Sequence, residues 1–276
     1  MRSIIILLFG LLSLLPQSVG IIYPPEGQPI IPSIQVLWMT LPVPDVVNPV
    51  LDASQIIDKL IAVTFTDYPT QALADAFCMS VIANDNLVLA GDPSNIARNR
   101  LDGCIRVDYT AVSDGVDFNW GQTNLEKYKI QYNADIDQFY TNSNQSCGLG
   151  YQDSWQYGVK WGHSWVDRPC AISNFSNIHE QGHNMGANHD PPNAGTSIFP
   201  WARGFCDSAH ARRDVMTYPN PCGGNRGPFF SNPNISPYGS PFGDALTMDN
   251  ARAIRQAGPI IAGFRSLSTI FNHQRD

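Results

Sequence analysis

The sequence predicts an α/β fold with a twisted, mostly parallel sheet. Three observations carry that prediction. Strand-like and helix-like segments alternate from residue 33 to residue 140. A helical pattern with two histidines four residues apart, His179 and His183, follows. Beyond residue 190, prolines at Pro191, Pro192, Pro200, Pro219, Pro221, Pro228, Pro233, Pro237 and Pro241 break regular patterns and leave a loop-dominated region.

Residues 1–20 read as a secretory signal: Arg2 supplies the charge, Ile4 to Leu15 the apolar run, and Ser18-Val19-Gly20 a small-residue cleavage site. That run is shorter than the roughly 20 residues a spanning helix needs. No later segment is expected to span. Residues 21–32 hold four prolines and read as an extended leader. Residues 33–40 (SIQVLWMT) are branched and aromatic, hence a strand.

Across 51–64 the apolar positions Leu51, Ile56, Ile57, Leu60 and Ile61 fall near helical spacing, and a second helical piece is expected over 71–81. Short strands are expected at 86–90 and 104–110, a helix over 123–132 and a strand over 134–140. Residues 148–165 carry Tyr151, Trp155, Tyr157, Trp161 and Trp165. These aromatics are either ordinary core and hairpin packing or an edge strand beside a cleft, near 158–165, where an extended peptide pairs. A last helix is expected over 248–264, with Ala251, Ile254 and Ala257 on one face and Pro259 kinking or dividing it.

Composition narrows the function. The 276 residues are 43% hydrophobic and 15% charged, which supports a real core and excludes a disordered chain. The net charge of -7 disfavours nucleic acid and anionic membranes as partners. Cys78, Cys104, Cys147, Cys170, Cys206 and Cys222 form an even set in a chain that reads as exported, which points to disulfides. Fifteen connectivities are open, and pairing neighbours along the chain is the simplest. No C-x-x-C pair occurs, so a cysteine zinc site is not expected. Sequons stand at Asn144, Asn174 and Asn234, the second a poor glycan site because it opens a buried helix.

The chemistry concentrates in His179-Glu180-Gln181-Gly182-His183-Asn184-Met185-Gly186-Ala187-Asn188-His189-Asp190. A helix puts His179 and His183 on one face, with Glu180 beside a metal rather than on it. Phe175, Ile178, Gly182 and Met185 form a second, apolar face. Gly186 suits a sharp turn that swings His189 round as a third ligand. Three neutral nitrogens and an open position are what a catalytic Zn²⁺ site requires. The other histidines, His163, His210 and His273, have no such company and read as surface or packing residues.

This HExxHxxGxxH pattern resembles the metzincin metalloendopeptidases. Asp214-Val215-Met216-Thr217-Tyr218 resembles their Met-turn, and Asp190 after the third histidine resembles the adamalysin/reprolysin branch. Trp201 to Phe205, Phe229 to Asn234 and Asp249 to Arg252 look like secreted microbial reprolysin-like peptidases. The resemblance implies a zincin-like α/β (α+β) fold. An upper catalytic subdomain over 33–190 would include the active-site helix, and an irregular lower one over 191–276 the Met-turn and C-terminal helix. It also implies one catalytic zinc held by His179, His183 and His189, with Glu180 as general base. Gly186, Asp190 and Met216 are structural near the site, and the residues after Met216 wall a substrate pocket. Tyr218 stands where animal adamalysins have proline. It resembles the astacin and serralysin tyrosine, which implies a role at the transition state. Gln181 departs from the usual apolar residue. No residue pattern places a Ca²⁺ ion.

The resulting expectation is a secreted, monomeric endopeptidase acting on extracellular proteins. The alternative is a non-catalytic zinc-binding or toxin-like module on the same scaffold, against which Glu180 argues. No G-x-S-x-G elbow is present, and Gly223 to Gly227, lacking a phosphate-loop lysine, reads as a surface loop.

Overall fold

β1 (Ile56–Thr64), α1 (Gln71–Ala90), β2 (Arg98–Val107), α2 (Asp114–Gln131) and β3 (Ile136–Thr141) alternate, as the sequence pattern predicts. Then come β4 (Gly148–Gly150), the short α3 (Ser154–Tyr157), β5 (His163–Asp167) and α4 (Ser176–Asn184). The sheet order is β2-β1-β3-β5-β4, parallel except for β4, which pairs antiparallel with β5 at the edge. This computed structural model describes residues 56–64, 70–95 and 97–265. The described residues lie within the compact unit Val47–Asp276. The signal, the leader, the strand expected at 33–40 and His273 lie outside them.

Side chains alternate across the sheet, so neighbours along a strand feed different layers. Ile61, Tyr140 and Val166 pack with Ala74, Phe77, Cys78 and Val81 of α1. Their chain neighbours Ala62, Phe139 and Trp165 pack with Leu125 of α2. α1 is 20 residues long and apolar enough to cross a membrane by length and composition, contrary to the expectation for later segments. Here its apolar face is spent on the sheet, and Cys78 ties it to Cys104 of β2. The other disulfides, Cys147–Cys170 and Cys206–Cys222, complete the neighbour-by-neighbour pairing.

Several expected elements differ. Residues 56–64 are a strand, not part of a helix. A strand with neighbours on both sides reads as a continuous apolar run, and IIDKLIAVT is rich in branched residues, so its helical spacing is coincidental. Residues 86–90 finish α1 rather than forming a strand, because a short apolar run is ambiguous until its neighbours extend it. The edge strand is β4, not 158–165. Residues 159–161 form a 3₁₀ turn, and β5 is enclosed by β3 and β4.

The irregular half follows α4. It holds a small sheet of β6 (Cys206–Asp207), β7 (Arg212–Arg213) and β8 (Asn225–Arg226), with the short α5 (Pro219–Cys222) between β7 and β8. The closing helix α6 (Asn250–Ala262) runs through Pro259 without dividing. Its buried Ala251, Ile254, Ala257 and Ile261 join Ile178, Met185, Val215 and Met216 in one core. That packing holds the last turn despite the missing N–H.

His163 is fully buried and part of an ionic network, rather than a plain packing residue. Its Nδ1 lies 2.5 Å from Asp137, whose other oxygen is 2.7 Å from the buried Lys129 Nζ. Burial alone would raise the Asp137 pKa, but Lys129 and His163 outweigh it and hold the carboxyl below its ordinary value. A depressed folded pKa stabilises the fold above the unfolded value and is lost as pH falls through the folded one. Asp137→Asn is expected to cost about 3 kcal/mol at neutral pH, because it leaves the buried lysine with the partly exposed Glu126, 3.1 Å away, as its remaining carboxylate. Melting temperature against pH checks this: the difference between wild type and variant must shrink in acid.

Candidate metal centre and cleft

α4 is positioned by a buried polar network as well as by its apolar face. Gln181 and Asn99 of β2 exchange side-chain hydrogen bonds at 2.8 and 2.9 Å. Asp85 of α1 accepts from Asn99 at 3.0 Å and from Asn177 at 2.5 Å. Gln138 of β3 donates to the Asn177 carbonyl at 3.0 Å. The network explains the departure at Gln181: a polar residue is tolerated there because both polar atoms of its amide are hydrogen-bonded. Beneath the helix, a Cβ on Gly182 would fall 2.9 Å from the Met216 sulfur, so the Met-turn packs directly against it.

The chain leaves α4 at Gly186, whose φ of +84° only glycine adopts without steric cost. The turn brings His189 back to the helix. Its Nε2 lies 3.2 Å from that of His179 and 3.0 Å from that of His183. The tautomers follow from the other ring nitrogens. His179 Nδ1 faces the Val215 carbonyl at 2.8 Å, and His183 Nδ1 faces the Ala187 carbonyl at 3.1 Å and Gln152 Oε1 at 2.9 Å. Both are donor positions, so Nε2 of each ring is an unprotonated lone pair. Burial, reinforced by the neighbouring histidines, lowers the pKa of His179 well below its usual value and that of His183 to about 3. Burial lowers that of His189 as well.

Three imidazole nitrogens this close together can offer their lone pairs to one cation. Nitrogens bound tetrahedrally at about 2.0–2.1 Å are separated by about 3.3 Å. The donor set therefore fits a single divalent ion. Among the described residues, the clustered ligating groups are these three histidines alone.

Glu180 stands beside the cluster, its Oε1 3.9 Å from His179 Nε2. Burial pushes its carboxyl up to about 8, against the opposing charge of Arg226. Tyr218 is 38% exposed, and its ring lies 4.3 Å from that of His189, centroid to centroid. Asp190 places it by accepting from the Tyr218 amide at 3.0 Å. Asp214 braces the Met-turn, accepting from Thr217 Oγ1 at 2.5 Å and the Ser231 amide at 2.9 Å.

His179, Glu180, His183, His189 and Tyr218 line a cleft of about 340 Å³, together with Gly148 and Gly150 of the edge strand. A Cβ on Gly148 would lie 2.6 Å from Glu180 Oε1, and one on Gly150 would lie 2.6 Å from the Glu180 carbonyl. Only glycine lets this strand approach the helix so closely. Asn174, the sequon residue before α4, has its side-chain amide turned to Ser176 and Cys147.

Two contacts could not be anticipated from the motif. Gln152 orients His183 from outside the helix. Asn250 of α6 accepts from the Asn188 amide and donates to the Asn188 carbonyl, both at 2.9 Å, fixing the loop that carries His189. Arg226, expected in a surface loop, is instead on β8 and donates to the Asn174 carbonyl at 2.8 Å.

Fold and cluster together resemble those of the reprolysin-like metzincins. Residues 105–190 match the metallopeptidase family M12B, reprolysin-like. The chain is 34% identical over 135 residues to a peptidyl-Asp metalloendopeptidase of Xanthomonas campestris, covering 49% of this chain and 32% of that one. It is 32% identical over 136 residues to one of Stenotrophomonas maltophilia, covering 48% and 32%. The matched region thus spans about a third of the length of these curated relatives. A chain from a solved chaperone–substrate complex shares the fold, with TM-score 0.61, 18% identity, and coverage of 76% of this chain and 35% of that one.

Proposed function

We propose that the protein is a secreted zinc endopeptidase that hydrolyses peptide bonds of extracellular proteins. The observation that carries this reading is the convergence of three imidazole Nε2 atoms beside the buried Glu180, on the floor of a cleft edged by a free strand. His179, His183 and His189 would hold the ion. Zinc bound there supplies Lewis acidity towards water and the scissile carbonyl.

The chain supplies the rest. β4 offers its free edge to an extended peptide, whose backbone adds as a further strand. Glu180 takes a proton from the attacking water as the new C–O bond forms. It then returns a proton to the amide nitrogen as the C–N bond breaks. Tyr218, propped by Asp190, offers its hydroxyl to the oxyanion that develops on the carbonyl. Three disulfides suit an oxidising compartment and so support export. The name of the relatives points to substrates containing aspartate.

A peptide-library digest with and without chelator tests the reading. Cleavage that stops on chelation and returns with Zn²⁺ is the expected result. Zinc binding without cleavage of any peptide would favour the non-catalytic module instead.

A further inference from the structure

The chain is acidic overall, so a preference for acidic peptides needs a local cation. The cleft has a candidate at one end. Arg226 is half-buried and spends Nη1 on the Asn174 carbonyl. Its Nε is buried without a hydrogen-bond partner among the described residues. None of the ion pairs among the described residues includes it. Its anchor, Asn174, stands two residues before α4 and turns its side-chain amide to Cys147, the residue before β4, which places Arg226 beside that end of the cleft. A partly desolvated guanidinium without a carboxylate is costly, and an incoming anion relieves that cost.

Strand direction fixes which end of the substrate Arg226 meets. Cys147 lies near Asn174, Gly148 beside the Glu180 carboxylate, and Gln152 beside His183. β4 and α4 therefore run the same way. A peptide pairing antiparallel with β4, the more stable arrangement, runs against both. Its N-terminal half lies by Gln152 and His183. Its C-terminal half lies by Cys147 and Asn174, where Arg226 is anchored.

We propose that Arg226 is the specificity residue of the cleft, pairing with an acidic side chain on the residue that follows the scissile bond. This rests on the peptidase reading for its substrate, but not for its test. The fork geometry of the guanidinium suits a carboxylate, and the Asn174 bond holds it in place.

The test is calorimetric titration of the zinc-loaded full chain with the product-like peptides Asp-Ala-Phe and Asn-Ala-Phe. They differ by one charge and are near-isosteric. Wild type should bind the aspartate peptide about tenfold or more tightly than its partner. Arg226→Gln, which keeps a donor for Asn174, should reduce that ratio to about twofold, and Arg226→Lys should retain much of it. Equal binding by wild type, or an unchanged ratio in a folded Arg226→Gln, overturns the assignment. The wild-type ratio decides even if a variant misfolds. Hydrolysis of internally quenched substrates carrying the same two residues separates the two readings. A binding preference without cleavage sinks the peptidase and leaves Arg226 assigned, whereas cleavage without preference does the reverse.

Discussion

Glu180→Gln should lower kcat/KM on casein or a cleaved peptide by about 10⁴-fold while leaving zinc content at one ion per chain. The amide has the shape of the carboxylate, so the close approach of Gly148 is preserved. His179 and His183 keep their tautomers, because those are set by Val215, Ala187 and Gln152 and not by Glu180. Only the ability to accept and return a proton is lost. A variant that cleaves at the wild-type rate would remove Glu180 from the mechanism.

The same substitution has a stability signature of opposite sign. The Glu180 carboxyl is raised to about 8 in the fold by burial. A raised folded pKa means that the folded state holds a proton the unfolded chain would release, so ionisation destabilises the fold as pH rises between the two values. In metal-free protein at about pH 7, the neutral Gln should therefore melt at a higher temperature than wild type. That gain should fade towards about pH 4, where the carboxyl is protonated in both states. Activity and stability moving apart would mark Glu180 as a group kept for chemistry at a cost to the fold.

The legible part of the site was the part whose geometry is local in sequence. Two histidines four apart share a helix face whatever else the chain does, and Gly186 permits one tight turn back to the helix. Met216 and Asp190 could be placed only through the resemblance to the metzincin pattern, since no periodicity ties Met216 to the helix. Asn250 lies 62 residues from Asn188, and no periodicity encodes their paired hydrogen bonds. Gln152 reaches His183 only because β4 folds back along α4. Arg226 sits in a glycine-rich stretch that looks like a loop until its side chain is seen on Asn174. The helix expected across 51–64 failed for a related reason. Whether a continuous apolar run becomes strand or helix is decided by partners elsewhere in the chain, here β2 and β3.

His183→Ala should abolish stoichiometric zinc binding, and comparison with Gln152→Ala shows why. Gln152 would act on a bound ion through His183, whose Nδ1 it holds at 2.9 Å. Loss of such an outer contact weakens metal binding by about 10–100-fold. The Ala187 carbonyl, also on Nδ1, keeps the tautomer in that variant, which should place it at the lower end of the range. Removing the imidazole takes away a bond rather than its support, so the loss must exceed anything the Gln152 variant shows. Competition with a chromophoric chelator gives both affinities, and atomic spectroscopy gives the content. Added zinc should raise the melting temperature of wild type and Gln152→Ala but leave that of His183→Ala unchanged, because a ligand stabilises only the state that binds it. Full zinc occupancy in His183→Ala at wild-type affinity would mean that the ion is held elsewhere.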